Sequence, residues 1–216
     1  MAGSGAALFL FVIAHLLGNL QIFLGPEQIN RYGHFLQSTP ELIWPARIAL
    51  LILVLVHIVS AIKLSQQNKA ARPVAYQNYQ VVAASYASRT MLMSGLIVLA
   101  FIIYHLLHFT VQVQYVNLTG KSFVDFTDPQ QRHDVYKMMV VGFSNKLVSL
   151  FYVIGVGLLC LHLSHGVSSM FQSLGWKNKQ YGSFLDKFAR VISWALFLGY
   201  ISIPIAILAG FVKEVP

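Results

Sequence analysis

Residues 48–62 read IALLILVLVHIVSAI, and this uncharged run decides the class of fold. It lies in a longer apolar segment, 45–64, whose first residue is a proline, a residue favoured in the first turn of a helix. About 20 apolar residues are enough to cross the hydrocarbon core of a bilayer as an α-helix. The sequence therefore predicts a transmembrane helix over 45–64, with one histidine, His57, in its interior.

The rest of the chain has the composition of a membrane protein. Of its 216 residues, 56% are hydrophobic and 10% are charged, whereas a soluble domain carries about 25% charged residues. Apolar runs predict four further spans, at 6–24, 90–113, 143–168 and 188–212. We therefore predict an all-α integral membrane protein, a single transmembrane domain over 1–216 with five transmembrane helices and no room for a separate soluble domain.

The net charge of +8 is explained by lysine and arginine at the membrane edges. No basic stripe interleaved with aromatic residues is visible, so we expect no nucleic-acid partner. Basic residues are numerous on both sides, but on the side of the N-terminus they cluster within a turn or two of the predicted helix ends. This favours a cytoplasmic N-terminus. The first span lacks the basic region of a signal peptide, so we expect a membrane helix.

Four predicted spans each carry a histidine in their interior, and these are His15, His57, His105 and His162. A histidine in hydrocarbon is costly and marks a functional site by default. At 1.5 Å per residue, the first and third lie about 13 and 12 Å from the outer ends of their spans, and the second and fourth lie about 10 Å from the inner ends. Two pairs at two depths follow, each suited to hold one haem in a four-helix bundle.

Further histidines leave part of this assignment open. His108 and His165 each follow a span histidine by three residues, and residues three apart lie on nearby faces of a helix. Both are closer to the span ends, so we interpret them as interfacial polar residues. His34 and His133 fall in predicted outer loops, and we expect His133 to be solvated.

Three cations near the span ends are candidates to hold haem propionates. Arg47 and Lys146 lie near the outer ends of the second and fourth spans, and Arg89 lies at the inner start of the third. A guanidinium or ammonium group pairs well with a carboxylate. Each of the three can equally extend to lipid headgroups.

The order and spacing of several short motifs resemble the cytochrome b membrane anchor of dihaem succinate:quinone oxidoreductases. These motifs are IAHLLGN at 13–19, HFLQSTP at 34–40, YH at 104–105 and LHLS at 161–164. The similarity covers nearly the whole chain. It implies that the iron atoms of two b-type haems are ligated by His15 with His105 and by His57 with His162, which agrees with the depth argument.

The resemblance also implies partners. The chain would be a non-catalytic electron-transfer subunit in a bacterial cytoplasmic (inner) membrane, bound to a flavoprotein subunit and an iron–sulfur subunit. Electrons from succinate would reach menaquinone through the two haems, or run in reverse for fumarate reduction. The quinone site would lie near the loop between the first two spans, with His34 and Gln37 as candidates. Gln37 cannot titrate, so His34, Glu41 or water would exchange the proton.

Two alternatives remain open from the sequence. A cytochrome b subunit of a hydrogenase or formate dehydrogenase would keep the haems, although its ligand arrangement differs. A haem-free proton-coupled transporter would use histidine and arginine as a relay, but it would be expected to carry intramembrane acids and two related halves. All seven acidic residues here fall in loops or at span ends.

Overall fold

The computed structural model of the chain describes residues 1–71 and 90–214. Within these residues there is no β-strand, only an isolated bridge between Thr127 and His133. In chain order the helices are α1 (Ala2–Asn19), α2 (Pro26–Gln37), α3 (Pro40–Ala70), α4 (Met91–His105), α5 (Val135–Ser144), α6 (Lys146–Ser173) and α7 (Gly182–Leu208). A 3-10 turn extends α1 to Leu24, and a π-helical turn extends α4 to Thr110.

Five of these helices, α1, α3, α4, α6 and α7, are long and apolar enough to cross a membrane. The predicted all-helical chain with five helices of membrane-spanning length is therefore confirmed. Helix ends differ from the predicted ones, most of all for α3, which covers 40–70 rather than 45–64. Pro40 occupies its first turn, the place where a missing N–H costs least, and Pro45 lies inside the helix.

The start of α6 differs from the prediction because Asn145 caps it. Its side-chain oxygen accepts hydrogen bonds from the backbone N–H groups of Leu147 at 3.0 Å and Val148 at 3.3 Å. An asparagine in this position satisfies donors that a helix leaves unpaired in its first turn. The fourth long helix therefore begins at Lys146, and Phe143 belongs to α5. Two other helices also differ from their predicted bounds. Helix α4 with its π-helical turn ends at 110 rather than 113, and α7 covers 182–208 rather than 188–212.

Two short helices occupy segments that the sequence left as loops. Pro26 starts α2 directly after Gly25, whose positive φ of 99° suits glycine. Asp134 caps α5 by accepting from the backbone N–H of Lys137 at 2.9 Å. His34 therefore lies on a helix, α2, and not in a loop as predicted.

The core is formed mainly by α5, α6 and α7, with further buried residues from α1, α2 and α4. Close approach of α4 and α6 depends on Gly155, because a Cβ atom there would overlap the ring of Phe101. By contrast, α3 has no fully buried residue along its 31 residues. It is therefore the peripheral helix of the bundle, and none of its residues belongs to the buried core.

Residues 111–134, called the cap below, are tied to the helices by buried hydrogen bonds. Asn30 of α2 is 2% exposed and donates to Asp134 at 3.0 Å. The backbone N–H of Tyr136 donates to the side-chain oxygen of Asn30 at 2.9 Å. Tyr104 of α4 donates to the carbonyl of Val116 at 3.2 Å. The cap therefore joins α2, α4 and α5.

Arg132 adds an ion-pair network to the cap. Its guanidinium lies 2.6 Å from a carboxylate oxygen of Glu27 and 2.6 Å from one of Asp128. Hydrogen bonding to Arg132 lowers the pKa of Glu27. Burial alone would raise the pKa of Asp128, but its bonds from Arg132 outweigh that effect and the pKa is lowered. Both carboxylates are thus held in the charged form that pairs with Arg132.

Candidate functional site

The structure brings the four span histidines together as two pairs. His15 of α1 and His105 of α4 have ring centroids 5.7 Å apart, with the ring planes at 85°. His57 of α3 and His162 of α6 have centroids 6.4 Å apart, with planes at 68°. We call the first the outer pair and the second the inner pair. The pairing predicted from depth is confirmed as an arrangement in space.

The spacing within each pair fits two imidazoles that share one metal ion. With a metal–nitrogen bond of about 2.0–2.1 Å on each side, the two ring centroids would lie roughly 6 Å apart. All four rings are half-buried, so part of each ring surface is open to a group bound beside it. In the part of the chain that the structure describes, no group of three or more histidine, cysteine or acidic residues is placed to hold a metal.

Glycine backbone flanks both rings of the inner pair. A Cβ atom at Gly5 would lie 3.4 Å from Cε1 of His57, and one at Gly95 would lie 3.5 Å from Cε1 of His162. Any residue larger than alanine at these positions would press on the histidine rings. The two glycines therefore keep space beside the inner pair.

A serine lies next to each of these glycines and contacts the same histidine. Ser4 Oγ is 3.3 Å from Nδ1 of His57, and Ser94 Oγ is 3.2 Å from Nδ1 of His162. Both serines are buried, at 8% and 5% exposure. The inner pair is thus held symmetrically, by one hydroxyl on each side.

Sequence reasoning missed these serines, although the sequence does carry a signal for them. Ser4-Gly5 begins eleven residues before His15, and Ser94-Gly95 begins eleven residues before His105. In both α1 and α4, the same spacing separates a histidine of the outer pair from a serine that contacts the inner pair. Eleven residues of helix span about 16 Å, which estimates the separation of the two pairs along the bundle.

The outer pair has a different environment. Nδ1 of His105 lies 3.3 Å from the hydroxyl of Tyr152 on α6. On the other side, Phe11 stacks on His15 with centroids 5.3 Å apart, and the ring of Tyr200 lies 6.4 Å away. One ring is therefore held through a phenol and the other through aromatic packing.

His108 is fully buried, so its interpretation as an interfacial residue was wrong. It has 0% exposure and lies in the π-helical turn that follows α4. Its Nδ1 is 3.0 Å from the Tyr152 hydroxyl, and its Nε2 has no hydrogen-bond partner among the described residues. Leaving a buried polar group unpaired costs about 1–3 kcal/mol. Such an exception in a folded protein calls for an explanation.

Two other histidines are bonded outside the pairs. Nε2 of His165 on α6 lies 3.0 Å from the hydroxyl of Ser169, one turn further along the helix. His133 was expected to be solvated but is half-buried, and Gln112 lies 3.0 Å from its Nε2. Burial lowers the pKa of His133. Neither of these residues takes the place of a histidine in a pair.

The remaining candidates lie at the surface. Arg47 is exposed, with its guanidinium 5.3 Å from the ring centroid of Trp44. Lys146 is exposed as the first residue of α6, and His34 and Gln37 are exposed on α2. Arg89 lies outside the described residues.

Fold and site together define an all-helical chain with five helices long and apolar enough to cross a membrane and two histidine pairs between those helices. Comparisons with models of known protein families, with curated proteins and with solved structures found no match.

Proposed function

We propose that this chain is the membrane-anchor cytochrome b subunit of a succinate dehydrogenase or fumarate reductase complex and that it holds two b-type haems. The observation that carries the proposal is the presence of two histidine pairs at two levels of one helix bundle. Four histidines on four different helices, paired first with third and second with fourth, is the arrangement that the resemblance of the sequence motifs implies.

The ligand number supports haem over a bare metal ion. A structural ion such as zinc takes about four protein ligands, whereas a haem brings four nitrogen donors of its own and needs only two axial ligands. Each pair supplies two imidazoles. A haem bound in this way supplies one-electron redox chemistry with no open coordination position for oxygen.

The contribution of the protein is to fix the rings and to set their environment. Ligands in the outer pair join α1 to α4, and those in the inner pair join α3 to α6. Because α3 has no fully buried residue of its own, His57 is the contact through which a shared ligand would hold this helix to the bundle. Hydrogen bonds to the second ring nitrogens orient the rings and tune their basicity.

The other parts of the proposal concern surfaces. The chain would lie in the cytoplasmic membrane of a bacterium with its N-terminus in the cytoplasm, where the flavoprotein and iron–sulfur subunits bind. Menaquinone would bind near α2, whose exposed His34 and Gln37 lie three residues apart and hence on one face. Arg47, Lys146 and Arg89 are the candidate partners of the haem propionates.

Single-histidine variants test the haem assignment. His57→Ala is expected to halve the haem content, because one axial ligand of the inner haem is gone while the outer pair is intact. It should also abolish electron transfer from the partner subunits to quinone. His165→Ala, a change on α6 one turn from His162, is the matched control and should keep both haems. A His57→Ala protein that retains two haems would contradict the proposal.

Isolation of the native complex tests the partner. The proposal expects a flavoprotein and an iron–sulfur subunit with succinate dehydrogenase or fumarate reductase activity to copurify with the chain. A hydrogenase or formate dehydrogenase activity in the same preparation would keep the haems but replace the proposed complex. A folded chain without haem would favour the transporter.

A further inference from the structure

We infer that the hydroxyl groups of Ser4, Ser94 and Tyr152 are positioning groups that fix three of the four paired histidines in the tautomer with the proton on Nδ1, and that His108 serves to orient Tyr152. The tautomer assignment stands on hydrogen bonds alone. Its purpose, to leave Nε2 free as a ligand, rests on the proposed haem function.

The argument for the serines begins with the single proton of a hydroxyl group. Ser4 Oγ donates that proton to the carbonyl of Met1 at 2.9 Å, and Ser94 Oγ donates to the carbonyl of Met91 at 3.1 Å. A serine whose proton is used in this way offers only acceptor lone pairs to another partner. Each oxygen can therefore bond to a histidine only by accepting from it.

The consequence for the inner pair follows directly. Nδ1 of His57 lies 3.3 Å from Ser4 Oγ, and Nδ1 of His162 lies 3.2 Å from Ser94 Oγ. Both ring nitrogens must therefore carry the proton. In a neutral imidazole the other nitrogen, Nε2, then keeps its lone pair. Both rings of the inner pair are held ready to ligate through the same atom.

Tyr152 must serve two histidines with one proton. Its hydroxyl lies 3.0 Å from Nδ1 of His108 and 3.3 Å from Nδ1 of His105. If the phenol donates to one ring, it must accept from the other. The shorter contact is to His108, which favours donation to His108 and acceptance from His105.

Donation from Tyr152 to His108 also fixes the proton of His108. With Nδ1 as acceptor, its proton is on Nε2, the buried atom that lacks a partner. The ring of Phe109 lies 4.0 Å away and that of Phe123 lies 5.6 Å away, centroid to centroid. These rings fill the space around the imidazole but supply no hydrogen-bond acceptor. The unpaired nitrogen is thus the cost of a phenol oriented toward His105.

Nitrogen-15 NMR of the histidine rings tests the inference directly in the full-length chain without haem, because iron bound at Nε2 would by itself keep the proton on Nδ1. We expect the Nδ1–H tautomer for His57, His105 and His162 in the parent protein. Ser4→Ala should convert His57 alone toward the Nε2–H form, and Ser94→Ala should convert His162 alone. Tyr152→Phe should convert His105. Unchanged tautomers in these variants would overturn the inference.

Matched controls separate a positioning role from general packing. Ser193→Ala removes a buried hydroxyl whose one partner among the described residues is the carbonyl of Ala189. Tyr104→Phe removes a phenol that bonds to the carbonyl of Val116. Neither should change a tautomer of the paired histidines. His108→Phe keeps an aromatic ring in the pocket but frees the Tyr152 proton, so it should shift His105 toward Nε2–H. An unshifted His105 there would remove His108 from the inference.

Haem binding gives a second readout. Loss of a group that holds a metal-ligating histidine typically lowers metal affinity about 10- to 100-fold. Ser4→Ala and Ser94→Ala should weaken one haem by that factor and raise its reduction potential, because a ligand that no longer donates its N–H is a poorer electron donor. Haem binding with unaltered tautomers and affinities in every variant would contradict this inference alone. Absence of haem with the expected tautomers would contradict the proposed function alone.

Discussion

His57 and His162 differ from His15 in the contact made by their Nδ1 atoms. Each inner ring meets a serine hydroxyl. Among the contacts of the described residues, the His15 ring makes only aromatic ones, to Phe11, His105 and Tyr200. A hydrogen-bonded ligand is oriented before it binds, whereas a stacked ring retains more freedom to rotate. The two sites are therefore unequal although both are built from two histidines.

On the proposed function, this difference predicts the order in which two bound haems would leave the protein. Transfer of haem to an excess of apomyoglobin should be biphasic, with the outer haem lost first and the inner haem lost about ten or more times more slowly. Absorption spectra of His57→Ala and His15→Ala assign the two phases. Ser4→Ala combined with Ser94→Ala should bring the rates together. Loss of the inner haem first would show that the serines do not hold it.

At the scale of elements, the contact between α4 and α6 depends on a glycine. Gly155→Ala places a methyl group against the ring of Phe101, which is 8% exposed and packed in the core. Overpacking of this kind costs about 1–3 kcal/mol. We expect a lower midpoint of thermal unfolding in detergent, followed by circular dichroism.

Gly166 on the same helix is the matched control. In the part of the chain that the structure describes, a Cβ atom there meets nothing within 4 Å. Gly166→Ala should therefore leave stability unchanged or raise it by up to about 1 kcal/mol, since alanine favours a helix more than glycine does. Equal effects of the two substitutions would mean that α4 and α6 do not pack as closely as described.

The cap depends on one buried amide. Asn30→Ala removes the acceptor of the Tyr136 N–H group and a donor to the Asp134 carboxylate. These two groups then stay inside the protein without the amide. An unpaired buried group costs about 1–3 kcal/mol. We expect faster hydrogen exchange of cap amides and a lower unfolding midpoint. Arg31→Ala, an exposed change on the same helix, should alter neither the exchange rates nor the unfolding midpoint. If Asn30→Ala also left both unchanged, Asn30 would not hold the cap to the helices.

The elements illustrate what a sequence can and cannot predict. Long apolar runs identify all five long helices, because no other structure satisfies so many backbone groups in hydrocarbon. The short helix α2 was missed because its polar and charged residues resemble those of a loop. Helix α5 is apolar, but its ten residues are too few to be read as a membrane span. The start of α6 was displaced because a single residue, Asn145, sets it through a local hydrogen bond.

The four histidines of the pairs could be chosen from the sequence because depth along a helix follows from residue counting. The hydroxyl groups could not, because serines are common at helix ends and only the fold shows that Ser4 reaches α3. The burial of His108 was also hidden. This histidine lies near the end of its predicted span, where a histidine can reach water, but Tyr152, Phe109 and Phe123 enclose it in the fold.

For the whole molecule, the two pairs and the peripheral position of α3 belong together. The four histidines connect α1 with α4 and α3 with α6, while the fifth long helix, α7, packs against α6 and α1. On the proposed function, the groups held by the two pairs would complete this bundle. Two redox groups about 16 Å apart along the bundle would span much of the hydrocarbon thickness.

Haem stoichiometry of the purified full-length chain tests the central claim most directly. The pyridine haemochrome assay, with a reduced-minus-oxidised spectrum, counts b-type haems per polypeptide. The account predicts two, both lost when His15, His57, His105 and His162 are all replaced by alanine. A well-folded chain that binds no haem, after expression with haem supplied in excess, would contradict it.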